Sequence, residues 1–140
     1  MKNETNTLYT FITGGGLSTV AYLLGGLDNL IIALAIFMVC DFILGAAAGA
    51  NNEGLNSKRA LKGLGKKGAM ISLVVVANQL DIISGSDTGF VRNSMIFFLI
   101  GTEGISLVEN MGRLGLNVPD FIRTRFEQMK NDEKVDKDVH

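Results

Sequence analysis

The chain has 140 residues, of which 47% are hydrophobic and only 19% charged, with one Cys, one His and a formal net charge of −1. A single Cys excludes a disulfide framework and a structural zinc site, and a lone His at position 140 excludes a buried His-centred catalytic site. The balanced charge offers no argument for nucleic acid as a partner.

The charges are unevenly placed. Lys2 and Lys58 bracket 55 residues without a Lys or Arg, and from Gly68 to Gly112 the only base is Arg92. A soluble domain of this size carries charge around its whole outside, so the pattern predicts an all-α integral membrane protein. The expected architecture is three transmembrane helices, an N-terminal apolar helix that spans or lies at the interface, and a C-terminal amphipathic helix.

In chain order, residues 8–27 are uncharged but rich in Gly and Thr, and Gly14-Gly15-Gly16 is expected to loosen this helix by about 1 kcal/mol per Gly. The start has little positive charge and no evident cleavage site, so no cleavable signal peptide is expected. Gly25-Gly26 then stops the helix, and Asp28-Asn29 supplies a fresh N-cap. Residues 30–50 form a strong apolar segment interrupted by Asp41, with Cys40 beside it as a small lipid- or helix-facing residue. Gly45 and Gly49 give it a small-xxx-small run, suited to a contact between subunits or between helices of one chain.

Residues 51–67 carry Lys58, Arg59, Lys62, Lys66 and Lys67 and are expected to face the cytoplasm, with Ser57 capping a helix that begins there. Residues 68–84 and 90–108 form the next two spans, joined by SGSDTG (84–89), which has no base and is assigned to the outside. With their polar flanks, the last three apolar segments reach the roughly 20 helical residues that cross a hydrocarbon core. Asp81 and Arg92 flank the outer connection, either pairing across two helices or snorkelling to the headgroups. Glu109 and Arg113, four apart, suit an interfacial helix pair.

Gly112 and Gly115 end the last span, and Pro119 opens an amphipathic helix at 119–130. There Phe121, Ile122, Phe126 and Met129 form an apolar stripe beside Arg123, Arg125 and Lys130, suited to the inner leaflet or to packing on the bundle. Residues 131–140 read as a polar, disordered tail. The basic segments place the C-terminus in the cytoplasm, as a multi-pass protein of the cell membrane.

Asp41 and Glu103 stand out. Counted from the inner ends of their spans, both lie roughly 10 to 13 Å inside the membrane at similar depth. A carboxylate there costs at least ~2.5 kcal/mol on insertion scales, so each should face protein or water. Lys66 and Lys67 are the nearest candidate counter-ions. Two roles stay open: fixing helix packing, or lining a helix or subunit contact that rearranges.

Three stretches carry a family likeness: LGGLDNLIIALAIFMVCDFILG (24–45), LNSKRALKGLGKKGAM (55–70) and GTEGISLVENMGRLGLNVPDFI (101–122). They resemble the bacteriophage holin family that includes clostridial toxin-secretion holins. The likeness rests on Asp41, Phe42 and Gly45, then on Ser57, Lys58, Lys62, Gly63, Lys66 and Lys67. Its third part is Glu103, Gly104, Ile105, Ser106, Glu109, Asn110 and Pro119; Thr102 stands where the family's pattern often has Asn. The resemblance implies a single membrane domain over 1–122 that oligomerises among lipids and opens lesions. Through these an endolysin or a toxin leaves the cell without needing direct contact. A small channel, a transporter subunit or an antiholin-type regulator is the alternative. No nucleophile–base pair, metal-ligand set or phosphate loop is present, so no catalytic, cofactor or metal residues are assigned and no enzyme is expected.

Overall fold

The computed structural model describes residues 2–54 and 56–131, and every element among them is helical. The helices are α1 (Lys2–Leu24), α2 (Asn29–Glu53), α3 (Ser57–Ile83), α4 (Phe90–Arg113) and α5 (Asp120–Asn131). The expected tail at 131–140 lies outside the described residues, except for Asn131 at the end of α5.

The helix boundaries follow local chemistry. Gly25 and Gly26 take φ of 74° and 112°, which ends α1, and the Asp28 side chain accepts from the Ile31 amide at 3.1 Å to start α2. Asn56, rather than Ser57, caps α3, its side chain accepting from the Lys58 amide at 3.0 Å. The Gly14-Gly15-Gly16 run does not interrupt α1, which is continuous. Thr13 and Thr19 on either side bond back to the carbonyls of Tyr9 and Gly15.

Two helices, over Asn29–Asn51 and Phe90–Arg113, are long and apolar enough to cross a membrane, against the three expected from sequence. The third is lost because the basic segment belongs to the helix. The first eleven residues of α3, 57–67, carry five bases, and the remainder, 68–83, has 16 residues that include Asn78, Gln79 and Asp81. Residues 57–67 are thus helix where a loop was expected.

The core lies where α2 and α3 pack on α4. Leu34 and Met38 meet Met70 and Val74 and, from α4, Ile96, Leu99 and Ile100. The outward faces are equally apolar: Ile32, Ile36, Val39 and Ile43 on α2, and Leu73, Val76, Leu80 and Ile83 on α3. A soluble protein seldom exposes patches this continuous, whereas lipid accepts them. α1 joins the bundle by its last turn, where Leu24 is buried, and most of its length is exposed. Cys40 is exposed on α2.

α5 folds back along α4. Ile122, Phe126 and Met129 are half-buried, and the Phe126 ring meets Phe37 of α2 edge-on at 5.5 Å. Of the two placements open to this helix, the chain adopts packing on the bundle.

Candidate functional site

The buried charges fall into two clusters, one toward each end of the bundle. In the first, α2 contributes Asp41, α3 contributes Lys67, and α4 contributes Glu103 and Asn110, which lie two turns apart on one face. Glu103 is completely buried, and Asp41 and Asn110 are nearly so. The Lys67 ammonium lies 2.9 Å from Asp41 Oδ2 and bonds Glu103 Oε2 as well. Asn110 donates to Asp41 Oδ1 at 3.0 Å. Glu103 Oε1 is buried without a hydrogen-bond partner. One cation therefore compensates two acids, and a single carboxylate oxygen is left over.

Beside this cluster a groove of about 240 Å³ runs between α2 and α3, lined by Phe42, Gly45, Gly49, Gly63, Lys66 and Lys67 among others. A Cβ on Gly45 would meet Asn110 Nδ2 at 3.3 Å, so this glycine serves close packing of α2 on α4 within one chain. A Cβ on Gly49 would meet nothing within 4 Å. Of the two candidate counter-ions only Lys67 enters the cluster; Lys66, Lys58, Arg59 and Lys62 are exposed along the same helix.

The second cluster centres on Arg92, which is 4% exposed. Its Nη1 donates to Asp28 Oδ2 at 2.7 Å and to Asn93 Oδ1 at 3.0 Å, and its Nη2 to the Gly26 carbonyl at 3.1 Å. Its Nε bonds the Leu24 carbonyl. Asp81, 3% exposed, takes a different part. Its carboxylate accepts from the amides of Val91 at 3.1 Å and Arg92 at 2.8 Å, capping α4 where the N-cap residue Gly89 has no side chain to offer.

The expected alternatives for Asp81 and Arg92, a side-chain pair or snorkelling, are therefore both corrected. Each is buried, and the guanidinium reaches instead across to the elbow between α1 and α2. Its hydrogen bond, against the opposing effect of burial, holds the Asp28 carboxyl below its ordinary range. Asn78 of α3 completes the elbow by donating to the carbonyls of Tyr22 at 3.3 Å and Leu23 at 3.2 Å. A side chain on Gly25 would collide with Asn78 and Arg92, and its positive φ disfavours one in any case.

The other sequence candidates are less engaged. Glu109 and Arg113 are exposed, and among the described residues their expected ion pair does not form. Ser106 is half-buried on α4, and Gly104 faces α5. Pro119 precedes α5, its carbonyl accepting from the Ile122 amide at 3.0 Å. The Thr102 hydroxyl bonds back to the Phe98 carbonyl at 3.0 Å. Sequence reasoning missed the Asp28–Arg92 pair, the Asn78 anchor and the Asn110–Asp41 bond. The only signal was the placing of polar residues within apolar runs. Among the described residues, no set of three or more His, Cys, Asp or Glu is gathered as for a metal.

A model of the bacteriophage holin family matches residues 18–131. A protein of Bacillus phage phi105 named "Probable holin" is 31% identical, the alignment covering 84% of this chain and 87% of that protein. The Listeria monocytogenes protein Lmo0128 is 37% identical over 84% of this chain and 87% of its own. A 14.9 kDa protein from the nagH 3' region of Clostridium perfringens is 31% identical over 94% of this chain and 98% of its own. No solved structure gives a significant match.

Proposed function

We propose that this chain, which belongs to the bacteriophage holin family, acts as a holin that oligomerises in the bacterial cytoplasmic membrane and opens lesions there. The released cargo is an endolysin or a toxin. Family membership and two long apolar helices together support a membrane location and a non-enzymatic role. In this reading α2, α3 and α4 cross the bilayer, with 51–67 and the C-terminus in the cytoplasm by the excess of Lys and Arg.

The observation that carries the reading is the Asp41–Lys67–Glu103 cluster. Buried ion pairs recover little more than the cost of taking their charges out of water, and here one oxygen of Glu103 has no partner at all. Such a cluster holds a dry bundle together only while the helices stay packed. Water reaching it would rehydrate all three charges, so the packed arrangement and a wetted, rearranged one are close in free energy. That is the balance a timed lesion requires. The same cluster lowers the cost of carrying α3 across the membrane despite its basic first half.

The test is inducible expression in a bacterium, following turbidity and a potential-sensitive dye together. Abrupt collapse of the potential after a period of accumulation is expected. Asp41→Asn and Glu103→Gln keep shape and hydrogen bonding, and each is expected to shift the time of collapse at unchanged membrane levels. Accumulation of the parent chain with the potential intact would overturn the reading.

A further inference from the structure

The flanks of the bundle differ in kind at mid-membrane depth. α2 turns Ile36 and Val39 outward and α3 turns Val76 and Leu80 outward, all suited to lipid. The remaining flank, on α4, is covered by α5. A Cβ on Gly101 would stand 2.8 Å from the Phe126 carbonyl oxygen and 2.9 Å from the Lys130 amide, and one on Gly104 would fall within the Phe126 ring. The two glycines thus make a trough into which the α5 backbone settles.

Gly101 lies 12 residues from Arg113, the end of α4. At 1.5 Å per residue that is about 18 Å inside the membrane, half-way along the helix. α5 therefore reaches the middle of the bilayer wherever α4 spans it. Its inward face is Ile122, Phe126 and Met129, while Arg123, Thr124, Arg125, Glu127, Gln128 and Lys130 are exposed. Three bases and an acid cannot face hydrocarbon at that depth, and residues so near the middle cannot all snorkel out.

We propose that α5, docked in the Gly101–Gly104 trough, is the water-facing element of the assembled protein. Its Arg123–Lys130 face lines the aqueous passage, and the α2 and α3 flanks face lipid. This rests on the holin reading for the existence of a passage. It adds which flank of the subunit turns toward it. The competing placement, α5 lifted onto the membrane surface, leaves the trough empty and the middle of α4 bare.

The experiment uses the full chain with Cys40→Ser, reconstituted in vesicles of phosphatidylethanolamine and phosphatidylglycerol. A nitroxide at Gln128→Cys reports collisions with a water-soluble nickel chelate and with oxygen, and one at Val76→Cys is the lipid-facing control. Docking is read twice. A short bifunctional thiol reagent bridges Phe37→Cys and Phe126→Cys, and the distance between nitroxides at Gln128 and Phe97 leaves the packed residues in place.

The expected result is a short Gln128–Phe97 distance, a formed bridge, and nickel access at Gln128 several-fold above that at Val76. A long distance would overturn the proposal, because α5 is then off α4; so would a short distance with Gln128 as inaccessible to nickel as Val76. Should the bridge fail while the nitroxide distance is short, the distance decides. Dye leakage from the same vesicles tests the lesion reading separately. Leakage with α5 undocked or dry sinks this inference alone, and a docked, wet α5 without leakage sinks the lesion reading alone.

Discussion

The Lys67 ammonium stands 2.9 Å from the Asp41 carboxylate and bonds Glu103 at the same time, so one cation on α3 ties α2 to α4. Neither acid has another cation beside it among the described residues. The bundle's tolerance of both therefore depends on this lysine.

Lys67→Met is expected to lower stability by about 3–5 kcal/mol, since it leaves two buried carboxylates without a counter-charge. Lys66→Met, one residue away and exposed, should change it little. Thermal unfolding in detergent micelles measures both. Adding Glu103→Gln to Lys67→Met should recover part of the loss, and strictly additive effects would show that the two side chains are not coupled.

Acid should loosen the elbow between α1 and α2. The carboxyl of Asp28 is held below its ordinary value of 3.8 by its hydrogen bond from Arg92. Its contribution is therefore fully present above 3.8 and is lost as pH falls through the lower folded value. Cleavage near residues 25–28 by an acid-active protease should accelerate over that range. Asp28→Asn should cleave at a raised rate with that pH dependence removed.

Gly104→Val is expected to expel Phe126 from its trough at a cost of about 1–3 kcal/mol. Hydrogen exchange should show faster amides throughout α5 and unchanged protection around Asp41 and Asn110. Equal loss of protection in both places would mean that α5 supports the whole bundle.

Topology can be tested in intact cells with single cysteines in a Cys40→Ser background. A Cys at Ser86 should react with an impermeant reagent added outside, and one at Ser57 should be protected until the membrane is opened. The reverse pattern would invert the orientation.

Local features of the fold were legible in the sequence. Gly25-Gly26 and Asp28 marked the first elbow because a glycine stop and an N-cap act within a few residues of their own position. Asp41 and Glu103 were legible as partners in depth because helical rise is regular, and Lys67 as one of two candidates. What stayed hidden depends on pairing across long stretches of chain. Arg92 lies 11 residues from Asp81 and 64 from Asp28, and proximity in sequence favoured the nearer acid for its guanidinium. The nearer acid was already engaged by two backbone amides, an outcome that side-chain spacing does not reveal. The span count failed for a related reason: the Lys and Arg of 57–67 looked like a loop, although nothing in them opposes a helix.

The Asp81 cap on α4 has a consequence for how the chain is made. Asp81 binds amides only 10 and 11 residues downstream, so its partners leave the ribosome almost with it. The turn at 84–89 can therefore close while the remainder is still being synthesised, at small loop-closure cost. Asp41 waits longer: Lys67 follows it by 26 residues and Asn110 by 69. During synthesis α2 thus carries an uncompensated acid until α3 arrives, and a nascent chain halted before Lys67 should be held less firmly by the bilayer than one halted after it.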